Sequence, residues 1–231
     1  MAVDYATIEE VQDEGRVARR DNPESHEDFE IALPVIYESN GYLFIKRSFD
    51  IVASLCLTVV LMLPMLIIAL LICLDSPGPA LFRQERLGKG GEPFTILKFR
   101  SMRIDAEENG PQWADRDDHR CTHLGRILRK SRLDELPQLW NILKGEMSFV
   151  GPRPERACFY VEFETYIHGF CNRLVVKPGL TGLAQVNGGY DLKPEEKIIY
   201  DMEYIQKRSV GMDLSCIIKT VKLVFTHEGA R

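Results

Sequence analysis

None of the six cysteines stands in a CxxC pair, and two of them, Cys56 and Cys73, lie inside an apolar run. That absence argues against a zinc framework or a disulfide ladder and fits a catalytic region facing a reducing cytosol. The chain also lacks an excess of basic residues. Its 231 residues carry a formal charge of −5, which is not the footprint of a nucleic-acid binder. The first residues lack the basic start and apolar segment of a cleavable signal peptide. Internal repeats and low-complexity tracts are absent. The aspartates Asp115, Asp117 and Asp118 lack the glycine and distal glutamate of a calcium loop, so a solvated loop is expected there.

Another absence is the most informative. From Ile51 to Leu74 there is no charged residue in 24 positions. As a helix this run would be roughly 36 Å long, enough for a hydrocarbon core of about 30 Å. Lys46 and Arg47 precede it; Arg83, Arg86 and Lys89 follow it. Basic flanks mark the cytosolic side of a membrane segment, and here they lie on both sides. Pro64, near the middle, has no N–H for the carbonyl of Val60 and disfavours helical geometry at Leu63. A kinked spanning helix and a re-entrant one that returns to its starting face are both open; the two-sided flanks favour re-entry.

Charge is unevenly spread elsewhere. Residues 1–33 hold ten acidic and three basic residues, a balance of −7, so the rest of the chain carries +2. Residues 1–40 read as an acidic, flexible tail, 41–75 as the membrane helix and 76–231 as a cytosolic catalytic domain. In that domain Leu81–Arg86 and Phe94–Arg100 read as the strands of a hairpin, turned by Gly88, Gly90 and Gly91. Residues from Met102 to Asn109 could start a short helix. "THLGRILRKS" and "LSCIIKTVKLVF" are basic amphipathic helices. Each suits either a membrane interface or an ordinary surface packed on the core. The class expected is α+β, a small membrane-associated domain with a Pro-broken re-entrant membrane helix and interfacial amphipathic helices.

The segment "SRLDELPQLWNILKGEMSFVGPRP" holds the adjacent carboxylates Asp134 and Glu135. Ser131 and Asp134 resemble a capping box, which predicts a helix from about Arg132 to Lys144 with Asp134 in its first turn. Neighbours on a helix do not face each other, so the two acids cannot flank one bond as a glycosidase pair does. They must have different jobs, or both serve the helix dipole. Bases recur around them: Lys98 and Arg100, Arg129 and Lys130, and Arg153 between two prolines. A carboxylate among fixed cations suits an anionic substrate with a divalent metal.

These stretches together resemble a known family. "KRSFDIVASL", "DSPGPALFRQERLGKGG", "FTILKFRSM", "LGRILRKSRLDELPQLWNILKGEMSFVGPRPE", "KPGLTGLAQVNG" and "YDMEYI" are similar, in order, to the bacterial sugar transferases, the monotopic phosphoglycosyl transferases acting on polyprenyl phosphate. The resemblance runs from about Gly41 to the C-terminus and leaves the acidic tail outside. It implies transfer of sugar 1-phosphate from a UDP-sugar to undecaprenyl phosphate, with release of UMP, at the cytoplasmic face of the cell membrane. That would be the first membrane step of exopolysaccharide, capsule or other glycoconjugate synthesis, with glucose or galactose as the sugar. It implies a covalent phosphoryl-aspartate on Asp134, Glu135 in a partner role, and Mg²⁺ held at Asp134. Lys98, Arg129 and Arg153 become substrate-binding positions, and Pro64 the break in a re-entrant helix. A homo-oligomer is compatible with it. Two departures stand out: Leu63 where many relatives have serine, and Gly189 where many have arginine. Rival readings are a membrane-bound nucleotidyl or phosphatidyl transferase and an interaction subunit that keeps only the fold.

Overall fold

The structure is a computed structural model that describes residues 29–34, 39–108, 110, 118–189 and 192–226. Residues 1–28 of the acidic tail, and Asp115 and Asp117, lie outside the described residues. The described end of the tail is not free of the domain: β1 (Phe29–Glu30) pairs in parallel with β5 (Ile167–His168).

The uncharged run lies within one helix, α1, which is continuous over Asn40–Asp75 with Pro64 inside it. Its 36 residues correspond to about 54 Å. In its 18-residue apolar window only 6% of residues are buried, so most of its side chains face outward. One stripe faces inward. Near the N-terminal end, Lys46 Nζ donates to Asp213 at 2.9 Å and to the Tyr204 hydroxyl at 3.1 Å. Arg47 donates to the carbonyls of Ile142 and Leu143 at 2.7 and 2.8 Å. Asp50 accepts from Ser148 Oγ and the Phe149 amide at 3.1 and 3.0 Å. Further along, Leu61 packs on Phe94, Ile96 and Met147, and Met65, Ile68 and Ile72 pack around Phe99 and Leu128. From Arg47 onward these positions are separated by three, four or eleven residues, spacings close to whole turns, which keeps them on one helical face. Three of the five bases read as membrane flanks have partners within the protein: Lys46 and Arg47 as above, and Arg86, which pairs with Glu155 at 3.2 Å.

The hairpin forms as expected. β2 (Leu81–Leu87) and β3 (Pro93–Phe99) are antiparallel, with Leu81 opposite Phe99 and Leu87 opposite Pro93. Gly90 and Gly91 adopt φ of 76° and 84° in the turn, a region L side chains rarely enter. Where a short helix could start from Met102, the described residues form a tight helical turn over Ile104–Glu107; Asn109 lies outside them. α2 is His123–Lys130, and its Thr122 cap accepts from the Gly125 amide at 3.0 Å.

The expected helix from Arg132 is different in kind. Leu133–Gln138 is a 3₁₀ stretch, and only Leu139–Lys144 is α-helical (α3). Ser131 is no capping box: its hydroxyl donates back to the carbonyls of Ile127 and Leu128, closing α2. Arg132 then takes a left-handed conformation, φ 57°, which reverses the chain. Pro137 lacks the N–H that an α-helix begun at Arg132 would use, so the tighter winding takes its place.

β4 (Ser148–Val150) and β6 (Gly179–Thr181) are parallel. α4 (Ala157–Glu164), α5 (Leu183–Asn187), α6 (Pro194–Lys207) and α7 (Val210–Thr226) complete the described elements. Their main core joins Val150, Tyr160, Phe163, Ile167, Phe170, Ile198 and Tyr204. Both basic amphipathic helices are two-sided. α2 buries Leu128 and exposes Ile127; α7 buries Cys216 and exposes Val210, Leu214, Ile218 and Val221. Among the described residues the class is mixed helix and strand, with three two-stranded sheets and one long apolar helix.

Candidate active site

Three short-range devices bring the site together. Asn141, fully buried on α3, accepts from the Leu97 amide at 3.1 Å and donates to the Thr95 carbonyl at 2.7 Å, which ties the segment after the acid pair to β3 and so to Lys98. Gly125 lets α2 approach β3: a Cβ there would stand 1.9 Å from the Ser101 carbonyl oxygen. That approach carries Arg129 inward. The Arg153 loop is pinned by its backbone, Gly151 N to Thr181 O and Gly179 N to Pro152 O, both at 2.9 Å.

All five residues singled out from the sequence meet. Glu135 Oε1 accepts from Arg153 Nη2 at 2.5 Å and from Lys98 Nζ at 3.3 Å. Asp134 sits beside them but forms no ion pair with any described cation. It lines a cavity of about 500 Å³ together with Lys98, Arg129 and Arg153, whereas Glu135 lies behind that wall. The two carboxylates thus have different positions and different electrostatics. Burial and the charge of Glu135 push the Asp134 carboxyl up to about 6, against the pull of Lys98, Arg153 and Arg129. For Glu135 burial acts in the same sense, but Arg153 and Lys98 outweigh it and hold the carboxyl far below its usual range. Burial, with Arg153 nearby, lowers the Lys98 ammonium.

Around the whole cavity eleven arginine and lysine side chains face three carboxylates, so a polyanion is what it can hold. Several of these cations were not legible as site residues. Arg86 lies in an otherwise ordinary strand. Arg120 grips Asp118 through two nitrogens at 2.8 and 2.5 Å, and Arg129 lies 4.0 Å from the same carboxylate. Asp118 is therefore buried and paired, contrary to the solvated loop expected. Arg100 donates to the carbonyls of Ser76 and Pro77 at 2.7 and 2.6 Å and so caps the C-terminal end of α1. Gly189, the departure noted above, lines the cavity as well.

The family model for bacterial sugar transferases matches residues 41–227. The chain belongs to the bacterial sugar transferases. Among its curated relatives, a UDP-N-acetylgalactosamine-undecaprenyl-phosphate N-acetylgalactosaminephosphotransferase of Aeromonas hydrophila is 44% identical over 82% of this chain and 46% of its own length. A UDP-glucose:undecaprenyl-phosphate glucose-1-phosphate transferase of Caulobacter vibrioides is 45% identical over 80% of this chain and 71% of its own. An undecaprenyl-phosphate galactose phosphotransferase of Salmonella typhimurium is 37% identical over 81% of this chain and 42% of its own. This bacterial sugar transferase thus spans under half the length of two of these relatives, and the three names carry three different sugars.

A divalent ion fits the donor set in one way only. Among the described residues no three His, Cys, Asp or Glu side chains cluster as a cage. Mg²⁺ is typically bound by one or two carboxylates plus substrate phosphates, with water completing its shell. Asp134, which lines the cavity and is not ion-paired, can supply that carboxylate; Glu135, taken up by two cations, cannot without releasing them.

Proposed function

We propose that the protein transfers sugar 1-phosphate from a UDP-sugar to undecaprenyl phosphate through a phosphoryl-Asp134 intermediate, starting a bacterial glycoconjugate or exopolysaccharide. The observation that carries this reading is the unequal acid pair: Asp134 faces a cationic cavity without an ion-pair partner, while Glu135 behind it holds Arg153 and Lys98 in place. A carboxylate raised in basicity is a better nucleophile, and near neutral pH it is still largely ionised. Its oxygen attacks the phosphorus bearing the sugar. The bond from that phosphorus to the bridging oxygen breaks, and UMP leaves with the electron pair. The phosphate of undecaprenyl phosphate then attacks the same phosphorus, and Asp134 departs as carboxylate. Lys98, Arg129 and Arg153 neutralise each incoming phosphate. Mg²⁺ held by Asp134 and the diphosphate would supply further charge compensation.

The same reading places the chain at the cytoplasmic face of a membrane. α1 keeps one face on the catalytic domain from Lys46 to Ile72, over roughly 39 Å of helix. A helix crossing the bilayer alone would have to leave that domain. That contact supports a topology with both ends on one side, with Pro64 as the residue at which a bend within the bilayer would form. The exposed apolar stripe of α7 lies in the headgroup region.

The test is mass spectrometry of the intact protein after incubation with UDP-sugars and Mg²⁺ but no lipid. UMP release with an adduct on Asp134, ping-pong kinetics, and loss of at least about 10⁴-fold of activity in Asp134→Asn are expected. A ternary-complex pattern without an adduct points instead to direct attack by the lipid phosphate. For topology, cysteines placed before Lys46 and after Asp75 should both resist labelling from outside intact cells. Labelling of the N-terminal side alone establishes a span.

A further inference from the structure

The cavity has a second polar wall, made by Arg173, Gln185 and Lys197, to which the phosphoryl transfer assigns nothing. Arg173 lies in the helical turn Phe170–Val175 and is 2% exposed. Its Nη2 pairs with Asp201 at 2.5 Å, and its guanidinium carbon lies 5.0 Å from the centre of the Phe170 ring and 5.9 Å from that of Tyr160. The group is held rigidly, yet its Nε and Nη1 have no hydrogen-bond partner. Gln185, on α5, is 7% exposed. Its Nε2 donates to the Leu180 carbonyl at 3.0 Å, which fixes the orientation of the amide and leaves Oε1, buried and unpartnered, as an acceptor. Room for this amide depends on Gly182: a Cβ there would come within 2.7 Å of Oε1.

Leaving buried donors and an acceptor unpaired is unfavourable in a folded protein, and such groups mark a place where something else binds. The charge balance says what kind of group. Asp201 neutralises Arg173, so this guanidinium offers direction more than net charge. That suits a neutral polar partner, while the phosphates go to Lys98, Arg129 and Arg153, which line the cavity beside Asp134.

We propose that this wall reads the uracil base of the donor. Gln185 Oε1 accepts the N3–H proton, and N–H groups of Arg173 and Lys197 donate to the base carbonyls. The imide edge of uracil runs acceptor, donor, acceptor; the wall offers the complement. Cytosine has no proton at N3 and an amino group in place of O4, so it mismatches twice. A site built to bond an N–H discriminates strongly against an analogue lacking it. The inference rests on the UDP-sugar reading and names the residues that make the donor a uridine nucleotide.

The experiment is calorimetric titration of the full chain in lipid nanodiscs with UMP and with CMP. The wild type should bind UMP at least about tenfold more tightly than CMP. In Gln185→Leu that ratio should fall to within about twofold, because the acceptor is gone and the volume is kept. The ratio of kcat/KM between UDP-glucose and UDP-N-acetylgalactosamine should not move. Arg173→Lys, which keeps a cation for Asp201, should weaken UMP by about tenfold and serves if Gln185→Leu unfolds. Equal binding of UMP and CMP by the wild type overturns the inference, as does discrimination that survives Gln185→Leu. A changed sugar ratio with intact base discrimination also overturns it, assigning the wall to the sugar. The titration needs no turnover. A chain that prefers UMP but forms no lipid-linked sugar would keep this inference and sink the transferase reading. A chain that transfers sugar but binds UMP and CMP alike would do the reverse.

Discussion

Two of the places where the molecule buries charge balance it differently. Arg173 and Asp201 are matched one to one, with both side chains only 1% exposed. At the acid pair two adjacent carboxylates share three cations unequally: Arg153 and Lys98 go to Glu135, and Asp134 is left without an ion pair. The matched pair holds its elements together, here the turn at Phe170–Val175 and α6, and its charges cancel each other. Burial and the charge of Glu135 raise the basicity of the other carboxylate, Asp134, and it is the one that lines the cavity.

The largest effect should come from unbalancing the matched pair. Asp201→Leu leaves the Arg173 charge buried without its partner and should cost about 3–5 kcal/mol. The double change Asp201→Leu with Arg173→Met should recover most of it. Chemical denaturation of the four proteins in nanodiscs gives the coupling directly. Additive losses would mean that the pair is not the closed unit described.

A smaller effect is expected at the site. Arg153, set between Pro152 and Pro154, holds Glu135 through Nη2 of a planar guanidinium, whereas a lysine is a point charge on a flexible stem. Arg153→Lys should lower kcat/KM about 10–100-fold with little change in thermal unfolding, and Arg153→Ala should lower it further. Near-normal turnover in both would make Arg153 a bystander.

The comparison also has a pH signature. The neutral Asp134 acid is not a nucleophile, and its carboxyl is pushed up to about 6. UMP release in the absence of lipid should therefore fall about tenfold per pH unit below that value. Glu135→Gln removes the neighbouring negative charge and frees two cations, so the midpoint should move to lower pH. A midpoint that stays put would show that Glu135 does not set the reactivity of Asp134.

How much of this was legible in the sequence depends on the range of the interaction. The hairpin, α2 and the uncharged helix rest on local patterns, and so did the meeting of Lys98, Arg129, Arg153 and the acid pair, once their family order was seen. The cap at Ser131 misled because serine closes one helix as readily as it opens the next; here its hydroxyl turns back to Ile127 and Leu128, and Arg132 takes a left-handed conformation. The matched pair was invisible for another reason. Lys197 and Asp201 stand four apart on α6, where charges usually face solvent, and Arg173 is 28 residues from Asp201 in the chain. Nothing local shows that both sink into the core. Gln185 likewise reads as an ordinary polar helix residue until its amide is seen fixed to Leu180.

The smallest effect expected is one of stability, and its sign is opposite to that of most site mutations. The folded-state value for Asp134, about 6, lies above the ordinary 3.8. Below about 3.8 the carboxyl is protonated whether the chain is folded or not, so nothing is lost. As pH rises through 6, the folded protein must carry a charge that burial and Glu135 oppose, and stability falls. Asp134→Asn carries no charge at any pH. It should be no more stable than wild type at pH 4 and more stable at pH 8, by on the order of 1–2 kcal/mol. In a domain of this size that is a rise of a few degrees in Tm. The same variant loses activity by orders of magnitude, so the two readouts move in opposite directions. A Tm for Asp134→Asn that matches or falls below wild type at pH 8 would mean that the cations already satisfy Asp134, and that its reactivity does not come from being left unmatched.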